Sequence, residues 1–158
     1  MSKENKLSHL EIYQINKEKK KYLNSASICI EALKIVQNFR GWISDDLMKA
    51  IAELLCMPVC ALEEVATFYS QIYRQPVGRY VIKYCDSVVC YMMGCSNVQN
   101  ILEKFLRIKI GETTSDKKFT LLPISCLGRC DQAPVMMINK KIYSNLIISN
   151  IPFLLEKL

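Results

Sequence analysis

Eight cysteines in a chain of 158 residues are the side chains with the most chemistry to offer. Four of them form two short runs. Cys85 and Cys90 bracket Asp86-Ser87-Val88-Val89, and Cys126 and Cys130 bracket Leu127-Gly128-Arg129. The pattern is C-x4-C, then 35 intervening residues, then C-x3-C. Four thiolates suit either a zinc ion or an iron–sulfur cluster. Zinc more often sits between C-x2-C knuckles, because one tight turn then feeds a single ion. A [2Fe–2S] core is larger, with two irons that each need two protein sulfurs, and wider loops suit it. The C-x2-C-x2-C run of a four-iron cluster is absent, and so is the C-x2-C of a thioredoxin-type dithiol. Spacing favours the two-iron cluster and leaves zinc open.

The remaining cysteines read more plainly. Cys29, next to Ile28 on a predicted helix, behaves as a small buried hydrophobe. Cys56 and Cys60 flank Pro58 with no second pair near them in the same region, and packing is the favoured reading. Cys95 extends an even spacing with Cys85 and Cys90 and could replace a ligand. It is placed to open a helix, whereas Cys90 falls in the predicted loop, so Cys90 is preferred.

Composition removes many other chemistries. The single histidine, His9, lies in a polar stretch, which argues against His-based zinc enzymes, Ser-His-Asp hydrolases and Cys-His proteases. The five glycines are too scattered for a dinucleotide fingerprint or a P-loop. No apolar run is long enough to span a bilayer, and no secretory signal is legible at the start, so the reading is cytoplasmic with reduced thiols. The net charge of +6 is modest, and residues 1–21 contribute six Lys against three Glu. No motif points to nucleic acid.

The elements that must position these residues follow from periodicity. Residues 1–22 read as a polar, Lys-rich tail or frayed helix without an assigned role. Ile28, Ala32, Ile35, Val36 and Phe39 mark a helix that Gly41 ends. Ser44 is a predicted N-cap, with Asp45 and Asp46 in the first turn and Leu47, Ile51, Leu54 and Leu55 on one face. After Pro58 a third helix carries Leu62, Val65, Ala66, Tyr69, Ile72 and Tyr73 to a stop near Pro76. Residues 23–76 are therefore expected to be a small helical bundle, with Phe68 and Tyr69 read as core rather than interface anchors. The period then changes. Arg79–Tyr84 reads as a strand, and Ser96 as the cap of a helix bearing Val98, Ile101, Leu102, Phe105 and Ile108. Phe119–Ser125 reads as a second strand, at an edge because of Pro123. A hairpin turns about Asn139-Lys140, and a short helix starts near Asn150. Residues 77–158 thus run strand, helix, strand, strand, strand, helix, which is compatible with a thioredoxin-like layer. Two loops at the same end of neighbouring strands would bring the four thiols together.

Four stretches carry a resemblance. Glu64-Val65-Ala66-Thr67-Phe68-Tyr69, Cys85-Asp86-Ser87-Val88-Val89-Cys90, Gly111-Glu112-Thr113-Thr114-Ser115-Asp116 and Cys126-Leu127-Gly128-Arg129-Cys130 with Ala133-Pro134 resemble the E-subunit family of the proton-pumping NADH–quinone oxidoreductase, respiratory complex I. The resemblance runs from about Cys29 to Leu158. It implies an α+β chain: a helical bundle followed by a thioredoxin-like [2Fe–2S] ferredoxin domain. It implies one [2Fe–2S] cluster on Cys85, Cys90, Cys126 and Cys130, with Cys56, Cys60 and Cys95 outside the ligand set. It also implies a flavin- and NADH-binding partner subunit carrying FMN, and a large iron–sulfur partner subunit. No catalytic residue is expected in this chain, which would touch the inner membrane only through the assembled complex. Electrons would pass between the cluster and flavin. By its charge alone, Arg129 reads either as favouring the reduced state, with Asp86 and Asp131 opposing it, or equally as a solvated surface side chain. Lys117, where the family often has glycine, and Ile147-Ile148, ahead of the last helix, depart from the pattern. The rival readings are a zinc-stabilised binding module and the corresponding electron-transfer subunit of a hydrogenase or formate dehydrogenase.

Overall fold

The computed structural model describes residues 6–24 and 26–158. The chain divides into two compact units, residues 1–76 and 77–158. The first is all helical. Helix α1 (His9–Lys19) starts at a capping box: the Ser8 hydroxyl accepts the Glu11 N–H, and the Ser8 N–H donates to the Glu11 carboxylate at 2.6 Å. Helix α2 (Cys29–Arg40) ends at Gly41, whose φ of +84° suits glycine. Helix α3 (Asp45–Leu55) is capped by Ser44, which accepts the Leu47 N–H, with two aspartates in its first turn. Helix α4 (Val59–Phe68) follows Pro58. Ile15, Leu33, Val36, Ile51, Leu55 and Leu62, each 0% exposed, form the centre of the core.

Three expectations need correction here. Residues 9–19 are not tail: α1 buries Ile15 in this core, and Arg40 from α2 binds the buried Glu11 carboxylate. The first five residues of the expected tail lie outside the described residues. Next, α4 stops at Phe68, well short of Pro76, and Tyr69 is already extended. Gln37 captures the segment that follows, accepting the Tyr73 N–H at 2.6 Å and donating to the Gln71 carbonyl at 2.8 Å. Arg74 then bonds to the Ile43 carbonyl, Asp45 and Glu63. These partners satisfy groups that a continued helix would have satisfied internally. Finally, Phe68 and Tyr69 are exposed, 81% and 42%, and the core positions go to Leu62, Ala66 and Ile72.

The second unit is an α+β layer. Its strands are β1 (Tyr80–Cys85), β2 (Phe119–Ile124), β3 (Met136–Ile138) and β4 (Lys141–Tyr143), in the order β2-β1-β3-β4. β1 and β2 are parallel, and the other pairs are antiparallel. Pro123 falls on an edge strand, where a missing N–H is tolerated. Between β1 and β2 come a short helix, α5 (Val88–Met92), and α6 (Cys95–Leu106); α7 (Ile151–Glu156) closes the chain. Alternate strand residues Ile82, Tyr84, Leu121 and Met136 pack on Leu102 of α6 and Leu155 of α7. The hairpin turns at Asn139, with φ +53°, whose side-chain oxygen accepts the Val81 N–H at 2.8 Å. Gly94 rather than Ser96 precedes α6. Among the described residues, no helix is long and apolar enough to cross a membrane.

Candidate metal centre

Parallel pairing is what gathers the cysteines. Cys85, the last residue of β1, stands opposite Ile124, the last residue of β2, and Cys126 lies just beyond it. The Cys85 N–H donates to the Val135 carbonyl at 3.0 Å and the Asp86 N–H to the Ile124 carbonyl at 2.8 Å. The loops after β1 and β2 and the segment entering β3 therefore leave one end of the sheet together. Cys90 is not in a loop as expected. It lies within α5, which turns it inward while the rest of that helix stays exposed or half-buried.

Within the second run, the Cys126 and Cys130 sulfurs are 3.2 Å apart. The Gly128 N–H donates to Cys126 Sγ at 3.3 Å. Gly128 has φ +76°, and a Cβ added there would meet nothing within 4 Å, so the turn needs glycine for its backbone and leaves open space beside the sulfurs. Both thiols of this run are exposed, whereas Cys85 and Cys90 are buried.

Electrostatics link the two runs. The Cys90 thiol is pushed up to about 11, first by burial, then by its hydrogen-bonded neighbour Cys85 and by the nearby Cys130, while the Val135 N–H works the other way. Cys130 is raised by Cys126 and more weakly by burial and Cys85. Cys126 is lowered, chiefly by the Gly128 N–H and then by the bond from Cys130. Cys90 and Cys130, each raised in part by neighbouring thiols, are groups that a nearby cation would stabilise as thiolates. Among the described residues, no group of three or more His, Cys, Asp or Glu side chains closes on a single point that would hold one metal ion.

Of the other residues, some fall as expected and some do not. Cys29 packs in the helical core. Cys56 and Cys60 are not packed at all but exposed. Cys95 opens α6 as expected, yet it is buried directly against Cys85, Cys90, Ala133 and Val135. Its thiol is raised by burial, by Asp86 and by Cys85. Arg129 is exposed and donates to the Gln132 side chain at 3.3 Å. The Val135 N–H was not foreseen as a sulfur donor, and only the turn signal of Ala133-Pro134 points toward it.

Comparison with known proteins places the chain in a family. The model of the thioredoxin-like [2Fe-2S] ferredoxin family matches residues 15–158. The E subunit of NADH-quinone oxidoreductase from Buchnera aphidicola subsp. Acyrthosiphon pisum is 56% identical, over 96% of this chain and 93% of the relative. The chain belongs to the E-subunit family of thioredoxin-like [2Fe-2S] ferredoxins. The E subunit of Salmonella typhimurium is 54% identical and that of Escherichia coli K12 is 52% identical, each over 96% of this chain and 91% of the relative. A crystal structure of an air-oxidised NAD+-reducing [NiFe]-hydrogenase superposes with a TM-score of 0.71 at 26% identity, covering 82% of this chain. This chain spans about a fifth of that hydrogenase polypeptide, 22%. For a member of this family the donor set fits an iron–sulfur cluster: four sulfurs, open space at Gly128, and backbone N–H groups at Gly128 and Val135 directed to sulfur.

Proposed function

We propose that this chain is an electron-transfer subunit of a proton-pumping NADH:quinone oxidoreductase and holds one [2Fe–2S] cluster on Cys85, Cys90, Cys126 and Cys130. The observation that carries this is the meeting of two cysteine runs at one end of a parallel strand pair, with sulfurs from both runs perturbing one another. Relatives at 52–56% identity that are E subunits of NADH-quinone oxidoreductases support the assignment to that complex. A bound cluster supplies a one-electron redox centre.

The chain's own residues then have distinct tasks. Cys85 and Cys90 hold the group from the buried side, and Cys126 and Cys130 from the exposed side. The Gly128 and Val135 N–H groups stabilise negative charge on sulfur. No side chain in this chain acts as an acid or base. FMN and the NADH site belong to a partner subunit that exchanges electrons with this one, and a large iron–sulfur subunit completes the contacts. The assembly lies at the cytoplasmic side of the inner membrane, which this chain meets only through the complex.

The test is an anaerobic optical and EPR spectrum of the purified chain with iron and sulfide analysis. Two irons and two sulfides per chain, and an EPR signal on reduction, are the expected result. A colourless chain holding one zinc would sink the reading.

A further inference from the structure

We propose that Cys126 and Cys130 form a peroxide-sensitive dithiol that, before the cluster and the partner subunits are in place, closes to a disulfide and blocks loading. This rests on the assignment of the four cysteines above. Their sulfurs stand 3.2 Å apart, and both residues are exposed. A disulfide needs about 2.05 Å, so closure asks for little movement. The intervening turn allows it. Gly128 and Arg129 are exposed, and only Leu127 packs, half-buried, on the protein. A Cβ at Gly128 would meet nothing within 4 Å, so the loop has room to shift and a dissolved oxidant has room to enter. The first run is built otherwise. Cys85 and Cys90 also share a hydrogen bond, but each is 2% exposed and walled in by Cys95, Ala133 and Val135. Susceptibility to oxidation follows exposure, so water-borne peroxide acts on the second run.

The chemistry is a two-electron oxidation by hydrogen peroxide. The Gly128 N–H, 3.3 Å from Cys126 Sγ, stabilises negative charge there and marks Cys126 as the attacking sulfur. The Cys126 thiolate takes one peroxide oxygen. The O–O bond breaks, and hydroxide leaves, to become water with the proton that Cys126 gave up. Cys126 is then a sulfenic acid. The Cys130 sulfur attacks it: the S–S bond forms, the S–O bond breaks, and the hydroxyl leaves as water with the Cys130 proton. Two thiols and one peroxide thus give one disulfide and two waters. The closed pair offers iron no thiolate, so only Cys85 and Cys90 remain of the four ligands. A dithiol reductant reverses the step by exchange and reopens the site. An exposed disulfide across so short a loop is of the labile, regulatory kind rather than the structural kind.

The experiment uses the full chain, stripped of iron by a chelator in dithiothreitol, freed of both, and treated with stoichiometric hydrogen peroxide. Peptide mapping by mass spectrometry locates any cross-link. Iron and sulfide uptake is then measured with and without renewed dithiothreitol. The expected result is a Cys126–Cys130 cross-link, uptake cut to less than about a tenth because two of the four ligands are withdrawn, and full recovery with dithiothreitol. Cys130→Ser stops the sequence after its first step and leaves a dimedone-reactive sulfenic acid on Cys126. Cys56→Ser with Cys60→Ser changes neither cross-link nor uptake, since those exposed cysteines lie in the helical unit. No cross-link, or a cross-link only at another pair, overturns the proposal. So does a Cys126–Cys130 cross-link that leaves uptake unchanged. Failure of the fully reduced chain to take up iron and sulfide overturns the cluster assignment instead, and the mapping still decides the disulfide.

Discussion

Glu11 is fully buried, with 0% exposure, and both its oxygens are engaged. Arg40 Nε reaches one at 2.7 Å and an Arg40 terminal nitrogen the other at 3.0 Å. Burial on its own pushes this carboxyl up, but the Arg40 guanidinium, with help from the Ser8 N–H and hydroxyl, more than offsets it and leaves the pKa below the ordinary 4.5. A carboxyl depressed in the folded state adds stability above its unfolded pKa, and that stability is lost as pH falls through the folded value. Glu11→Gln is therefore expected to destabilise the chain by about 3 kcal/mol at neutral pH, toward the low end for a broken buried pair because Arg40 keeps contact with water. It should also flatten the fall in stability below pH 4.5, as read by urea titrations at stepped pH. At the site, residue identity should act through ligation. Cys126→Ser is expected to lose iron, whereas Cys95→Ser should keep two irons despite packing on Cys85 and Cys90. Arg129 is an exposed charge held by Gln132, so Arg129→Ala should lower the midpoint potential by at most about 40 mV, the equivalent of about 1 kcal/mol for a screened interaction.

Elements carry the next level of control. The entry to β1 passes close to the entry to β2. A Cβ on Gly78 would stand 3.0 Å from the Lys117 carbonyl oxygen and from the Lys118 carbonyl carbon and oxygen, all of them backbone atoms. The Gly78 N–H also donates to the Thr120 hydroxyl at 2.7 Å. Gly78→Ala should push these strands apart where their parallel register begins, at a cost of about 1–3 kcal/mol visible as a lower Tm. What the sequence revealed at this scale was local. Gly41, Ser44 with its aspartates, Pro58 and the Asn139 turn act within a few residues, and each marks the boundary it was expected to mark. Two of the misreadings are at positions governed from a distance. Gln37 diverts residues 69–73 from a helix whose apolar spacing alone would continue it. Arg40 secures α1 from 29 residues away through the buried Glu11 carboxylate. That the two cysteine runs leave the same end of the sheet was legible, because each follows one of two neighbouring strands. The inward turn of Cys90 and the burial of Cys95 were not, since a five-residue helix leaves almost no periodic signal.

At the scale of the whole chain, two units with separate cores give stability two different dependences on pH. The acid side belongs to Glu11 in residues 1–76, where the only tryptophan, Trp42, reports by fluorescence. The alkaline side belongs to Lys83 in β1, a 1% exposed lysine in the other unit, which burial lowers from 10.5 to about 8. Between those two values the unfolded chain binds the proton that the folded chain has released, so stability rises with pH across that window. Below about pH 8 the folded chain carries the charge in a buried position and bears its desolvation cost. Other groups titrate in the same range, tyrosines and thiols among them, so the informative quantity is the difference between wild type and Lys83→Met. That difference should favour the variant most below about pH 8 and shrink steadily toward pH 10.5, in Tm measured by circular dichroism on the cluster-loaded chain. A constant difference across the window would mean that Lys83 keeps its proton throughout, held in the sheet by a counter-charge strong enough to cancel burial.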